Sequence, residues 1–259
     1  MFPERRPHGG SEWLSEEAWA VIEPHLPKAR PGAPCVDDRR VISGILHVLR
    51  SGCRWSDCPP EYGPATTIYN RSNRWSVQGV WNRLFGRLAA AGNIPDEISI
   101  DSTYVKAHRS AAGAKGDDTA QAIGRSRGGR TSKIHALANA QGRPVAFILT
   151  TGNVADISVA NTLLDDIAPP RRLLADKAYD ADHLRKLLEA QGTDVVIPST
   201  RARRHPYPLN RRAYRGRNVI ERMFCRMKDW GRIATRYDRL ARNFLSAVAL
   251  VATACFWLP

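Results

Sequence analysis

With 259 residues, 43% of them hydrophobic, the chain can bury one substantial core plus a small accessory domain, which excludes a disordered protein. It carries 39 Lys or Arg against 25 Asp or Glu, a formal net charge of +14, so nucleic acid is the first partner to consider. The basicity is local: residues 200 to 243 hold 14 basic and 3 acidic side chains, whereas residues 1 to 95 hold 12 and 9. Those cations are interleaved with Tyr, Pro, Gly and Asn and do not flank a wide apolar face, which argues against a membrane surface. No charged n-region followed by an apolar stretch opens the chain, so a signal peptide is not expected. Residues 245 to 258 are apolar but short for a membrane span, and predict a buried closing helix. The five cysteines (Cys35, Cys53, Cys58, Cys225, Cys255) lack paired zinc-ligand spacing and fit reduced thiols in a cytoplasmic protein.

The first 90 or so residues read as short helices. Ser15 before Glu16 and Glu17 is a helix start, with acids at the positive end of the dipole. From Asp38 to Arg50, residues Ile42, Ile45, Leu46 and Leu49 share a face. Cys58-Pro59-Pro60 and Gly63-Pro64 break that pattern. Ala65 to Trp75 and Val77 to Ala90 predict two further helices joined near Ser76. Such a succession, with Arg71, Arg74, Arg83 and Arg87 available to phosphates, fits a small helix-turn-helix-like DNA-binding domain over residues 1–92, although a plain helical subdomain has the same pattern.

Residues 91 to 95, Ala-Gly-Asn-Ile-Pro, make a boundary before a second domain, 93–259. Asp101 lies inside a β-rich run from Glu97 to Val105. A Gly/Arg-rich stretch at about 109–131 has no packing pattern and reads as a mobile basic loop whose Arg125, Arg127 and Arg130 are candidates for phosphate contact. It is not a Walker loop, lacking the Gly-Lys-Ser/Thr ending. Lys133 to Asn139 and Val145 to Thr150 predict a hairpin. Asp156 to Ile167 reads as a helix capped by Asp156. Then come the buried strand Arg172 to Ala175 closed by Asp176, a helix from about Asp180 to Ala190, a strand at Val195 to Ile197, and a helix bearing Glu221. Three leading strands followed by alternating helices and strands describe an RNase H-like mixed sheet, so the fold class is α/β with an all-helical preface.

Aspartate is a poor strand former and is rarely buried unpaired, so Asp101 and Asp176 call for a compensating charge unless each caps a following turn. At about 100° per residue, Arg217, Glu221 and Lys228 fall within roughly 60° on one helix face, with Tyr214 beside them if the helix starts early. A solvated salt-bridge face would have the same spacing. Three carboxylates, two on strands and one on a late helix, suit Mg²⁺ (or Mn²⁺). Two such ions could activate a water or hydroxyl and stabilise the leaving oxygen of a phosphodiester.

Over nearly its full length the chain resembles DDE transposases of bacterial insertion sequences, of the IS-five family. The resemblance rests on Asp101-Ser102-Thr103, on Gly124 to Gly129 with Lys133-Ile134-His135, on Ala175-Asp176-Lys177-Ala178-Tyr179-Asp180, and on Tyr214, Arg217, Glu221 and Lys228 at the spacing of the Tyr-Arg-Glu-Lys signature. It implies that Asp101, Asp176 and Glu221 are a metal-binding catalytic triad, with Arg217 and Lys228 facing phosphates. The implied activity is binding of terminal inverted repeats, cleavage at the element ends and joining of 3′ hydroxyls to target DNA, by a homodimer or larger oligomer in the bacterial cytoplasm, at the nucleoid when bound. An RNase H-like nuclease without strand transfer and a catalytically inactive DNA-binding regulator are the alternatives. Only 44 residues separate Asp176 from Glu221, too few for the β-rich insertion of some relatives. No hairpin intermediate is therefore expected, and Trp230 is expected to pack locally.

Overall fold

The computed structural model describes residues 13–27, 36–92, 96–111, 121–126, 128–165 and 167–259. Four helices come first. Helix α1 (Glu16–Ile22) starts where Ser15 accepts a hydrogen bond from the Ala18 amide, as its acidic first turn predicts. Helix α2 (Asp38–Ser51) is capped by Asp37 and stops at Gly52, which takes a left-handed φ of 76°. Helices α3 (Ala65–Val77) and α4 (Val80–Ala91) are joined by a two-residue turn ending in Gly79 at φ 65°. The predicted boundary near Ser76 is displaced because Trp75 and Trp81, 5.2 Å apart edge to face, keep both helices on one core. Arg71 was expected to face phosphates and does not. It is buried, paired with Asp38 and laid over the Trp75 ring, because its helix position faces α2.

Among the described residues seven strands form one sheet in the order β2-β3-β1-β5-β6, with β4 on β3 and β7 on β1. Their ranges are β1 Glu97–Ala107, β2 Gly124–Ser126, β3 Gly129–Asn139, β4 Pro144–Thr151, β5 Arg172–Ala175, β6 Asp194–Val196 and β7 Thr235–Arg236. The first strands are antiparallel, and β1–β5, β5–β6 and β1–β7 are parallel. Ile98, Ile100, Leu173 and Ala175 point to one face, where Leu163 of α5 (Ile157–Leu164) and Leu184 and Leu188 of α6 (Asp182–Ala190) cover them. Val105, Ile134 and Ala136 point to the other, under α8 (Asn218–Lys228) and α10 (Ala241–Phe256).

The four leading helices share that second core. Leu84, Phe85 and Trp81 lie in one apolar cluster with Phe244, Val248 and Val251. At Gly231, a Cβ would stand 2.9 Å from the Gly52 Cα, so only glycine lets the end of α2 meet the start of α9 (Gly231–Ala234). No helix among the described residues is long and apolar enough to cross a membrane. The closing apolar run is the buried α10, as expected.

The Gly/Arg-rich stretch is more ordered at its end than its composition suggests. Gly124–Ser126 pairs with the start of β3 in a tight hairpin that sets Arg125 opposite Arg130. Arg127 lies outside the described residues, as do residues 112–120. Residues 121 and 122 are held by the buried Arg236, whose guanidinium donates to the carbonyls of Gln121, Ala122, Asp238 and Arg239 and to Ser132 Oγ. A planar fork with five donors suits such a carbonyl-rich seat.

Candidate active site

Strand β1 has two parallel neighbours on one edge, β5 as far as the pair Ile100–Ala175, and β7 from Lys106 onward. Between them, residues 101 to 105 lack a strand partner on that side. Asp101 and Asp176 follow the Ile100–Ala175 pair directly, so both carboxylates emerge at this opening, on the face covered by α8. Parallel sheets place such a crevice at strand C-termini because the helices there diverge from the strands.

Asp101 is mostly buried. One of its oxygens accepts from the Ser102 amide at 2.8 Å and the other from Arg217 Nη1 at 2.7 Å. Burial raises its carboxyl above the usual range, outweighing the Ser102 amide and Arg217, and the nearby Asp176 adds to the rise. Asp176 Oδ1 accepts from the Ala178 amide at 2.8 Å, capping the 3-10 turn Lys177–Tyr179. The capping role weighed from sequence is thus real for Asp176, and it leaves the second oxygen uncommitted to that bond. Glu221, 54% exposed on the first turn of α8, is joined to Arg217 Nη2. Arg217 therefore bridges Asp101 and Glu221.

Tyr214, Arg217, Glu221 and Lys228 do come together, but not on one continuous α-helix. Tyr214 ends α7 (Arg211–Tyr214), Arg217 lies in the 3-10 turn Arg215–Arg217, and Glu221 and Lys228 belong to α8. The Tyr214 ring stands 5.8 Å from the Arg217 guanidinium carbon. Lys228 reaches the open edge of β1, donating to Thr103 Oγ1 at 2.6 Å and the Tyr104 carbonyl at 3.0 Å. It thereby takes up a carbonyl where the strand has no neighbour, and its own half-burial lowers its pKa. Among the described residues no three His, Cys, Asp or Glu side chains converge closely enough to cage a metal ion. Among the described residues, Glu221 is linked to Asp101 through Arg217.

Asp156, Lys133 and Tyr179 lie around the site in positions the sequence did not assign to it. Asp156 was expected to cap its helix and makes no capping bond. Its Oδ1 instead accepts from Ser102 Oγ at 2.6 Å and from the buried Lys133 Nζ at 3.1 Å. Strand alternation explains this: Ser102 and Lys133 point to the sheet face opposite Asp101, where α5 begins. Tyr179 is 1% exposed, and among the described residues its hydroxyl has no hydrogen-bond partner. Burial is the largest influence on that phenol, followed by Asp156, Asp101 and Asp176, and all four push its ionisation up. Asp156 and Lys133 are distant from Asp101 in sequence, and only the strand register connects them.

The basic segment is partly consumed by the fold. Arg203, Arg217, Lys228, Arg232 and Arg236 are drawn inside or into ion pairs, while the other nine of its 14 cations are exposed. Arg125 and Arg130 are exposed on their hairpin. The two like charges stand directly opposite each other across the hairpin, where they repel.

An RNase H-like mixed sheet with two acids at a parallel-strand opening and a third on a late helix defines a class of polynucleotide-processing folds. The comparisons narrow it. Residues 93–256 match the family described as "Transposase DDE domain", and residues 14–85 match "Putative transposase of IS4/5 family". The chain belongs to the DDE transposase family of insertion sequences. It is 33% identical over 129 residues to the "Putative transposase for insertion sequence element IS6501" of Brucella ovis, covering 49% of this chain and 98% of that one. It is 34% identical over 121 residues to the "Putative transposase for insertion sequence element IS402" of Burkholderia cepacia, covering 42% and 55%. Its fold resembles that of the piggyBac transposase in a synaptic complex with hairpin DNA, with a TM-score of 0.55 at 9% identity, over 93% of this chain and 69% of the other.

Proposed function

We propose that the chain binds the terminal inverted repeats of its own insertion sequence, cleaves the element ends by metal-dependent phosphodiester hydrolysis, and joins the 3′ hydroxyls to target DNA as a dimer or larger oligomer. The observation that supports this best is Arg217 bridging Asp101 and Glu221 at the stretch of β1 that follows the Ile100–Ala175 pair, with Asp176 next to that pair on β5. The donor set fits a divalent cation: it is all carboxylate oxygen, which suits Mg²⁺ or Mn²⁺, and two of its members already share one cationic partner. Asp101, Asp176 and Glu221 would hold the ions, with Glu221, half exposed, rotating away from Arg217 to join the aspartates. Ions bound there supply an activated water or hydroxyl and stabilise the leaving oxygen.

The protein's own groups do the rest. Arg217, released from Glu221 but still beside Asp101, lies next to the incoming phosphate and offsets its developing charge. The Tyr214 ring restrains the guanidinium, and Lys228 keeps the edge of β1 open and in place. Arg125 and Arg130, with Arg127 in the same segment, grip flanking phosphates in a sequence-tolerant manner. Residues 1–92 supply recognition of the repeat through the exposed Arg74, Arg83 and Arg87, and residues 93–259 supply the chemistry.

The test is cleavage and joining of terminal-repeat DNA with Mg²⁺ by Asp101→Ala, Asp176→Ala and Glu221→Ala. Each should abolish both products while leaving DNA binding largely intact. Near-parental cleavage by Asp176→Ala would sink the assignment. Cleavage without joined products in the parent protein would favour a nuclease without strand transfer.

A further inference from the structure

Residues 198–217, between β6 and α8, hold seven arginines, one histidine and no acid. Two of the seven are spent, Arg203 on Asp180 and Asp182 and Arg217 on Asp101 and Glu221. Arg201, Arg204, Arg211, Arg212 and Arg215 are exposed, and none of them is ion-paired among the described residues. Like charges this close repel, and a slack loop would let them spread. This loop is pinned: the Tyr207 amide donates to Ser199 Oγ at 2.9 Å, and the Thr200 amide and the Arg203 side chain donate to the buried Asp180 at 2.7 and 2.9 Å. It walls an open cleft with Thr200, Arg204, His205 and Tyr207, and the acid on that wall, Asp182, is neutralised by Arg203. Unpaired charge of one sign, held in place, suits a polyanion.

Strand direction gives the loop its position. Strands β5 and β6 run parallel to β1, so the chain leaving Val196 emerges at the end of the sheet where Asp101 and Asp176 open. Strand β3 runs antiparallel to β1, with Thr131 opposite Lys106, so the β2–β3 turn with Arg125 and Arg130 reaches that same end. The two basic features stand at opposite edges, because the strand order is β2-β3-β1-β5-β6. Four strand spacings separate β2 from β6, about 19 Å, with the β1–β5 crevice between them. That span is about six nucleotides of one DNA strand at roughly 3.4 Å each.

We infer that the segment carrying Arg201, Arg204, Arg211 and Arg212 is a second grip on the DNA backbone, holding the phosphates on the opposite side of the scissile bond from those held by Arg125 and Arg130. This rests on the reading of the Asp101–Asp176 crevice given above. The DNA lies across the strand ends, fixed on both sides of the bond to be cut.

Two double variants of the full chain test this, Arg201→Ala with Arg204→Ala and Arg211→Ala with Arg212→Ala, bound to terminal-repeat DNA in the presence of chelator so that the ends stay uncut. Each should lower the slope of log affinity against log salt by about 1.8, two phosphates' worth, on terminal-repeat and random DNA alike. The control Arg222→Ala should leave the slope unchanged. All four arginines are exposed, so the thermal midpoint should hold. A parental slope in both double variants overturns the inference. Hydroxyl-radical footprints place the grip: the protection lost with the double variants should lie across the scissile phosphate from that lost with Arg125→Ala and Arg130→Ala, the two centres about six nucleotides apart. Losses on the same side also overturn it. Cleavage by Asp101→Asn with Mg²⁺, run alongside, separates the two failures. If it cleaves normally, the reading of the crevice fails and the placement of the grip with it, whereas an inactive Asp101→Asn beside double variants of parental slope and footprint removes only the second grip.

Discussion

Arg217 is the residue on which the site's electrostatics turn. It pairs with two acids, one of them largely buried, so its loss leaves Asp101 uncompensated. Surface salt-bridge spacing would suggest that Arg217→Ala barely alters stability; the bridge to Asp101 reverses that expectation. Arg217→Ala should slow single-turnover cleavage by at least about tenfold and also lower the thermal midpoint, whereas the exposed Arg215 and Arg222 should do neither. A variant that cleaves within about twofold of the parent would remove Arg217 from the active site. Asp101 gives a second residue-scale expectation. Because burial raises its carboxyl above the usual value, the folded state holds that proton more tightly than the unfolded chain. Its contribution is favourable in acid and is lost as pH rises through the folded-state value. In the presence of chelator, Asp101→Asn should therefore gain thermal stability over the parent progressively from acid to neutral pH. A gap that is flat or reversed across that range would show that Arg217, not burial, dominates.

At the scale of elements, the site depends on what fastens the segment between β6 and α8. Asp180, its side chain fully buried, accepts from Arg185, Arg203 and the Thr200 amide, and both guanidiniums lie near the Tyr207 ring, at 4.3 and 5.0 Å from its centre. Burial alone would raise the Asp180 carboxyl, but the hydrogen bonds from Arg203, Thr200 and Arg185 prevail and hold it at about 2. Its stabilising effect is full above the ordinary aspartate value and is lost as pH falls toward about 2. Asp180→Asn should cost about 3 kcal/mol, because the buried Arg185 guanidinium loses its carboxylate and the partly exposed Arg203 loses it too. For a chain of this size that is a drop of several degrees in thermal midpoint, and an unchanged midpoint would refute the clamp. Lys228 acts likewise on β1. Lys228→Ala removes its bonds to the part-buried Thr103 hydroxyl and the exposed Tyr104 carbonyl, so a small fall in midpoint should accompany any loss of cleavage.

Over the whole molecule, the helical preface and the catalytic sheet are one packed body. Trp81, Leu84 and Phe85 of α4 share a core with Phe244 and Val248 of α10. A fragment of residues 1–92 would expose that face, so repeat recognition is better tested by substituting Arg74, Arg83 and Arg87 in the full chain. Circular dichroism of the fragment should show no cooperative melt; a sharp melt would restore it as an independent unit. The Arg125–Arg130 hairpin makes a separate expectation. If each arginine meets one phosphate, Arg125→Ala and Arg130→Ala should each lower the slope of log affinity against log salt by about 0.9, equally for terminal-repeat and random DNA. An unchanged slope would remove the hairpin from the DNA path.

Local chemistry was enough to read much of this chain. Helix starts such as Ser15, the turn glycines, the period-2 pattern around Asp101 and the apolar closing helix depend on neighbours a few residues away, and the spacing of Tyr214, Arg217, Glu221 and Lys228 survives a break in the helix that carries them. What depends on strand register could not be read. Asp156 leaves its capping position because Ser102 and Lys133, distant in sequence, reach it across the sheet; Arg71 turns inward because Asp38 waits on another helix; and Lys228 finds its partners where β5 ends before β7 begins. Residue type and spacing determined which groups could do the chemistry, because charge, size and periodicity are local properties. Only the tertiary structure decided which of them are spent on each other and which, like the Tyr179 hydroxyl, are left unpaired, because desolvation and pairing are set by whatever the fold brings within a few ångströms.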